Sequence, residues 1–450
     1  MTELKTELAC VILAAGHGSR MKSSLPKVLH QVGHRPMLHH VMALGQTLGA
    51  ARQVVVVGAG GEAVAAAAKE FDDKASIAVQ DPPQGTGHAV QMALPALEGF
   101  DGTVLILYAD TPLMRAETAA ALIGTVTEGA ALSVLGFETD EPGAYGRLIT
   151  DEKGDLDRIV EFKDASKDER AVTLCNAGLM AAPAALLREH LPKLSNDNAQ
   201  GEYYLTDLPA MAKGAAGRCA IVRAGIDETS GVNRRTELAA AEAVFQHRRR
   251  EEMMDAGVTL IDPSSVWFAH DTQIAQDVVI GPHVVFGPGV TVGEGVRIEA
   301  FSHLEGCTVQ ASASIGPYAR LRPGTDVGEG AKIGNFVETK KAVLGPGAKV
   351  SHLTYLGDAQ IGAEANIGAG TITCNYDGYD KHLTVIGEGA FVGSNSSLVA
   401  PVTIGKGAYV GSGSVVTKSV PDDALTVARG RQMTKEDWAK SFRARKEPKE

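Results

Sequence analysis

The sequence is poor in cysteine, and what it has is scattered. Of 450 residues five are Cys, at positions 10, 175, 219, 307 and 374, with no C-x-x-C pair and no His at metal-ligand spacing. That argues against a disulfide framework or a zinc site, and an odd, dispersed set reads as free thiols in a reducing compartment. Long apolar runs are missing too. None is long enough for a signal peptide or a membrane span, and the N-terminus carries acidic residues. The expectation is a cytoplasmic chain with no membrane partner. Nor is positive charge in excess: 43 Lys and Arg against 54 Asp and Glu give a formal net charge of -11, which speaks against a general nucleic-acid binder.

What is present is ordinary in bulk and unusual in pattern. Hydrophobic residues make up 44% and charged residues 22%, as in soluble globular proteins, and 450 residues imply two or more domains. Between residues 274 and 416 an apolar ladder recurs every sixth residue: Ile274, Ile280, Phe286, Val292, Ile298, Leu304. After a slip of one it resumes at Val309, Ile315, Leu321, Val327 and Ile333, returns at Leu344, Val350, Leu356, Ile361 and Ile367, and closes with Ile386, Val392, Leu398, Ile404, Val410 and Val416. Neither a helix nor a two-faced strand has that period. It is the hexapeptide signature of a parallel β-helix, with three hexads to a coil and an interior filled by the rungs. Gly often follows the rung, as at Gly281, Gly293, Gly316, Gly405 and Gly411, which suits corners that demand positive φ. The largest interruption, residues 374–385, is an aromatic, polar loop and a functional candidate.

The first half reads differently. Apolar runs at 10–14, 54–57, 77–80 and 104–108 read as buried strands, and 36–48, 86–97 and 116–126 as helices. Strand–helix alternation predicts a parallel sheet with helices on both faces and ligands beyond the carboxyl ends of its strands. The first strand runs into Ala14-Ala15-Gly16-His17-Gly18-Ser19-Arg20-Met21, and Lys27 follows. A Gly-rich turn exposes N–H groups to phosphate, and two cations neutralise it. It is not a Rossmann fingerprint, whose third Gly is replaced by Met21, nor a Walker A loop, which needs Gly-Lys-Ser/Thr. A long helix over 236–256 follows, with Leu238, Ala241 and Phe245 at helical spacing and Arg248 to Glu252 as an i,i+4 pair. Arg248-Arg249-Arg250, followed at once by Glu251 and Glu252, reads as a solvated helix face.

The stretch from Leu13 through Met21, with Leu25-Pro26-Lys27, resembles the signature of the sugar-1-phosphate nucleotidyltransferases. Gln80, the run Gln84-Gly85-Thr86-Gly87-His88-Ala89 and Tyr108-Ala109-Asp110 resemble that family's uracil-recognising segment and metal-binding strand end. Gly146, Glu161, Asn176 and Asn233 match in order further on. Together with the hexapeptide half, the chain from about residue 10 to 429 is similar to the family of bifunctional N-acetylglucosamine-1-phosphate uridyltransferases and glucosamine-1-phosphate N-acetyltransferases. It departs from that pattern at Ala109, where the family has Gly, and at Ser24, where it often has an acidic residue.

The resemblance implies three parts: a Rossmann-like α/β nucleotidyltransferase domain over 1–228, a linker helix region over 229–266, and a left-handed parallel β-helix over 267–450. It implies a UTP site of Leu13, Ala14, Ala15, Gly16, Lys27, Gln80, Gly85, Thr86, Tyr108 and Asp110, with Arg20 and Lys27 neutralising the phosphates. A Mg²⁺ is implied on Asp110 and Asn233, a suitable hard-ligand pair, and the sugar phosphate on Gly146, Glu161, Asn176 and Asn233. For the acetyl transfer it assigns His352 as general base, just past the rung Val350, with a basic set around it. Arg322, Lys340, Tyr355, Asn366 and, more weakly, Lys381 are implied for glucosamine-1-phosphate, with Lys341 also nearby. Asn375 and Tyr376 would position the acetyl group and its oxyanion, and Ser394, Ser412 and Arg429 would contact acetyl-CoA. A homotrimer with intersubunit acetyltransferase sites is implied, and a T-x-x-D start at Thr434 with Trp438 suggests a short capping helix whose basic end reaches a neighbouring subunit or stays disordered. Two other readings remain: a single-function nucleotidyltransferase whose β-helix only oligomerises, and an assembly subunit without chemistry. Lys27, Asp110, Asn233 and His352 speak against the last, and His352 with the Asn375 loop against the former.

Overall fold

The computed structural model describes residues 7–16, 18–214 and 217–446. His17 of the Gly-rich loop and the last four residues of the basic tail lie outside that set. The chain divides into two compact units, Met1–Arg248 and Arg249–Glu450, the division falling within the helix Arg235–Asp255.

The first unit is built on strands β1 (Leu8–Leu13), β2 (Arg52–Gly58), β3 (Ser76–Gln80), β4 (Thr103–Tyr108) and β5 (Leu132–Glu138). A hairpin of β6 (Arg147–Thr150) and β7 (Leu156–Val160) follows, then β8 (Leu174–Pro183) and β9 (Cys219–Arg223). Their order is β9-β5-β8-β4-β1-β2-β3, with the hairpin attached to β8. β1 is central and wholly buried. Its alternate residues serve two cores: Val11 packs with Val54, Val56 and Ile106 on one face, and Cys10 and Ile12 with Val55, Leu105 and Leu107 on the other. Burying each such side chain contributes about 1.5–3 kcal/mol. The helices Met37–Thr47 and Ala116–Thr127 cover the second face through Leu38, Val41, Met42, Leu122 and Ile123. Thr86–Ala93 covers the first through Ala89, Val90 and Ala93.

Four expectations need correcting here. The sheet is mixed, because β8 runs antiparallel to both β4 and β5. The chain returns to it through a hairpin and not a helical crossover, which a parallel neighbour requires. β3 lies at the sheet edge with Val79 exposed, so it is not a buried strand. The helix expected over 86–97 ends at Ala93, because Pro95 lacks the N–H to continue it, and Leu94–Leu97 is a 3₁₀ turn. The arginine cluster is also not a solvated face. Arg248 pairs with Asp227 at 2.8 Å and donates to the Leu113 carbonyl, so it does not pair with Glu252.

In the second unit short strands stack in parallel on three faces of a coil. One face runs from Thr259–Leu260 to Leu425–Thr426 as ten strands; the other two share a sheet of fourteen. Every rung of the ladder except the half-buried Ile274 is buried in one core. Partners in successive coils lie 17 or 18 residues apart, as Arg297↔Ser314 and Ser314↔Lys332, which makes the three-faced hexapeptide coil of the left-handed parallel β-helix. The ladder's two blank steps are filled by threonines. Thr339 pairs with Leu321 and hydrogen-bonds Thr325 at 3.0 Å, and Thr373 bonds Gly357 through both N–H and carbonyl. An interior hydroxyl is tolerated because it is bonded.

The glycines after the rungs act through space more than through φ. A Cβ on Gly281, Gly293 or Gly405 would meet backbone nitrogen of the next coil at 2.7, 2.8 and 2.4 Å. The left-handed corners lie further on: some are Gly, as at Gly289, Gly295 and Gly407, and one column is side chains, His283, Phe301, Tyr318 and Phe336, which all have positive φ and stack ring on ring at 4.8–5.1 Å. Arg249 donates to the Thr272 carbonyl and Arg250 to that of Val266, over the Trp267 ring. The tail forms a short helix, Trp438–Ala444, but Thr434 does not cap it: its hydroxyl accepts from Gln432, and Asp437, in the left-handed region, makes no side-chain cap. The helix is exposed throughout.

Candidate active sites

In the first unit a cavity of about 360 Å³ opens beyond the carboxyl ends of β1 and β4. Leu13, Ala14, Ala15, Gly16, Lys27, Gln80, Gly85, Thr86, Tyr108 and Asp110 all line it. The buried Gln80 holds the Gly85 carbonyl through its amide nitrogen at 2.8 Å, fixing the turn before helix Thr86–Ala93. Gly85 has φ +103 and sits against the Tyr203 backbone, where a Cβ would meet the carbonyl oxygen at 2.7 Å. Tyr203 in turn donates to the Gln84 carbonyl and accepts from the Gly87 N–H, both at 2.8 Å. Burial first, then the Asp110 and Glu161 carboxylates, pushes the Tyr108 hydroxyl far up, so it stays protonated.

At one side of the cavity four charged or amide groups from separate segments meet. Lys27 Nζ lies 2.5 Å from Asp110 Oδ2 and 3.0 Å from Asn233 Oδ1, which also accepts from Arg20 Nη2 at 3.0 Å. Two backbone features hold Asn233 there. Val232 N–H donates to the Asp110 carbonyl, tying the segment to the end of β4. The Glu237 carboxylate, from the first turn of Arg235–Asp255, accepts from the Asn233 N–H at 2.6 Å. The Asp110 and Asn233 oxygens thus converge on one positive charge, the Lys27 ammonium. A carboxylate and an amide oxygen are hard donors, and a pair of them suits an ion that keeps water and substrate oxygens, as Mg²⁺ does. The two residues fit that ion.

Gly146, Glu161 and Asn176 come together beside this centre. The Asn176 N–H donates to the Gly146 carbonyl at 2.8 Å, and its side-chain oxygen accepts from Gly178 N–H across the β8 bulge. Burial holds the Glu161 carboxyl above the usual range, while the Thr206 hydroxyl at 3.1 Å acts the other way. Sequence reasoning missed the segment 202–207, which supplies Glu202, Tyr203 and Thr206. It has no strand or helix period, and only its run of aromatic and acidic residues marks it.

In the second unit His352 ends the strand Lys349–His352, in register with Asn335 one coil earlier. Its Nδ1 lies 2.5 Å from Asn335 Oδ1. An amide oxygen only accepts, so the contact needs a hydrogen on Nδ1, and in the neutral ring the lone pair then lies on Nε2. Asn335 is a second residue the sequence did not reveal, being visible only once the coil register is known. His352, Ser394 and Ser412 each stand two residues past a rung of the same face, Val350, Val392 and Val410, so they share one corner. Gly413 N–H donates to the Ser394 carbonyl and Arg429 Nη1 to that of Ser412, at 2.8 and 2.7 Å, which brings Arg429 to that corner.

Arg322, Lys340 and Lys381 form a basic group on the next face. The Lys381 charge, then that of Arg322, holds the Lys340 ammonium below its usual value. Arg322 also pairs with Glu338 at 2.8 Å. Lys340 is in register with Gly357, against which the Tyr355 hydroxyl and the Asn375 amide pack. Asn375 is buried and donates to Asp358 at 2.5 Å. The loop after it lengthens one coil, so that Asn366 pairs with Phe391, twenty-five residues on. Asp377 organises it, accepting from Tyr379 N–H, Asp380 N–H and His382. Tyr376 turns its hydroxyl to the Gly378 carbonyl at 2.6 Å. Among the described residues no side-chain hydrogen bond joins His352 or Asn366 to the basic group.

Comparison with known proteins follows the same division. The MobA-like NTP transferase domain matches residues 10–202, and the bacterial transferase hexapeptide (six repeats) matches 271–306 and 383–418. The "Bifunctional protein GlmU" of Maricaulis maris is 59% identical over 439 residues, covering 98% of this chain and 97% of its own. Those of Paracoccus denitrificans and Hyphomonas neptunium are each 55% identical, over 428 and 446 residues, with coverage of 95% or more of both chains. The chain belongs to the bifunctional GlmU family. The hexapeptide match leaves out 307–382, and there lie Arg322, Asn335, Lys340, His352, Tyr355, Asn366 and Asn375. In this member of the GlmU family those seven residues therefore lie outside the matched repeats, while Ser394 and Ser412 lie within them.

Proposed function

We propose how the two units of this bifunctional enzyme divide the synthesis of UDP-N-acetylglucosamine. The boundaries we assign are 1–228 for the uridyltransferase domain, 229–266 for the linker helix region and 267–450 for the acetyltransferase domain. The observation that carries the first assignment is the meeting of Arg20, Lys27, Asp110 and Asn233 beside one cavity lined by all ten nucleotide-motif residues. UTP lies in that cavity, its base toward Gln80 and Gly85 and its phosphates toward the Gly-rich loop. N-acetylglucosamine-1-phosphate lies toward Gly146, Glu161 and Asn176. Its phosphate oxygen attacks the α-phosphorus of UTP, the bond to the β-phosphate breaks, and pyrophosphate leaves.

The protein's part is to position and to neutralise, as in phosphoryl transfer generally. Lys27 exchanges Asp110 for phosphate oxygens, and Arg20 neutralises the leaving pyrophosphate. Asp110 and Asn233 would hold Mg²⁺, which would supply charge neutralisation to the transferring phosphate. Glu161 accepts from a sugar hydroxyl, and a site built to bond that hydroxyl rejects a sugar lacking it.

In the second unit glucosamine-1-phosphate is held by Arg322, Lys340, Tyr355 and Asn366, and acetyl-CoA by Asn375, Tyr376, Ser394, Ser412 and Arg429. The amine attacks the thioester carbonyl as His352 Nε2 takes its proton, and the thiolate of coenzyme A leaves. Asn335 supports this by keeping the hydrogen on Nδ1. A homotrimer with sites shared between subunits is our reading of the assembly, supported by the hexapeptide coil. A cytoplasmic location is supported by five unpaired cysteines. No described helix is long and apolar enough to cross a membrane.

The test is a pair of variants assayed for each half-reaction. Asp110→Ala abolishes pyrophosphate release and spares acetyl transfer; His352→Ala lowers acetyl transfer by about 10²–10⁴-fold and spares uridylyl transfer. Loss of both activities in either variant would refute the assignment.

A further inference from the structure

Arg147 heads the fully buried side chains by size, at 2% exposure, and the reaction described above gives it no task. A guanidinium is almost never buried unless paired. Yet every hydrogen bond it makes among the described residues goes to a backbone carbonyl: that of Tyr145, that of Gly143 at 3.2 Å, and that of Arg170 at 3.3 and 3.4 Å. Its flat face lies 5.7 Å from the centroid of Phe162, whose ring also carries Arg170 at 4.6 Å. In the sheet it is in register with Val160 on β7 and Cys175 on β8.

Apart from Gly143 and Arg170, these partners adjoin the residues assigned to the sugar. Tyr145 precedes Gly146, Val160 and Phe162 flank Glu161, and Cys175 precedes Asn176. Gly146 and Glu161 are therefore chain neighbours of residues that the guanidinium touches, Tyr145 and Phe162, while Asn176 follows the strand partner Cys175. Gly146 and Asn176 are further joined by the 2.8 Å backbone bond. The planar fork of Arg suits this work, since its five donors are fixed relative to one another and a Lys ammonium cannot reproduce their directions.

We propose that Arg147 is a positioning residue that sets Gly146, Glu161 and Asn176 for the sugar of the sugar phosphate, and so governs its affinity without touching it. The inference rests on the reading of those three residues as the sugar site. UTP contacts come from other strands, β1, β3 and β4, which Arg147 does not touch.

The experiment is two-substrate kinetics of uridylyl transfer on the full chain with Mg²⁺, comparing Arg147→Lys, Arg147→Met and Glu161→Gln. Both Arg147 variants are expected to raise KM for N-acetylglucosamine-1-phosphate at least tenfold with KM for UTP changed less than twofold. Arg147→Ala should raise the KM for the sugar phosphate likewise, and added methylguanidinium should lower it again. If KM for the sugar phosphate stays within twofold of the parent, the proposal is overturned. It is overturned equally if UTP binding, measured by calorimetry, is lost, because Arg147 then maintains the whole unit. The underlying reading fails separately: Glu161→Gln would leave KM for the sugar phosphate unchanged.

Discussion

Lys27 closes two contacts at once in the first unit, to Asp110 and to Asn233. Removing one preorganised charge from such a centre costs about 10²–10³-fold in kcat. Lys27→Ala should therefore lose uridylyl transfer by that order with acetyl transfer unchanged, measured as pyrophosphate and coenzyme A release. Glu161 gives a second expectation. Burial raises its carboxyl pKa, so the folded unit binds this proton more tightly than the unfolded chain. Its contribution to stability falls as pH rises from the unfolded value, about 4.3, through the higher folded one. Glu161→Gln should flatten that part of the urea-midpoint profile; an unchanged slope would contradict the burial argument. At this scale the sequence was readable where chemistry repeats a motif, as at Lys27 and Asp110. It was silent where a role depends on register, as for Asn335, or on an unpatterned segment, as for Thr206.

At the scale of elements, the six-residue ladder was legible because each rung must be apolar to fill a coil. Its blank steps were not, because Thr339 and Thr373 replace the apolar rung by bonding inside the core. The mixed direction of the first sheet was hidden for a related reason. A strand's buried face shows in its residues, but its direction is set by the connection before it, and the β6–β7 hairpin has little periodicity. The arginine run misled because residue type reports charge and not the carbonyls that receive it. The ladder also predicts a cost. Leu356 is fully buried between Tyr355 and Gly357, which face the basic group. Leu356→Ala should destabilise the second unit by about 2–5 kcal/mol in denaturant unfolding and raise KM for glucosamine-1-phosphate, with uridylyl transfer unaffected. A loss below about 1 kcal/mol would show that the coil collapses around the gap.

At the scale of the whole molecule, two units with separate cores carry two sets of candidate residues, and none of those residues belongs to both. Chelation should therefore divide the activities: EDTA stops pyrophosphate release while coenzyme A release continues, whereas arrest of both would place a metal in each site. The same separation permits complementation. Asp110→Ala and His352→Ala enzymes, purified apart, are each given acetyl-CoA, glucosamine-1-phosphate, UTP and Mg²⁺, and UDP-N-acetylglucosamine is measured. Neither alone should form it, and their mixture should, after a lag in which free N-acetylglucosamine-1-phosphate accumulates. A mixture as inactive as its components would contradict the account of two separate chemistries linked by a free intermediate.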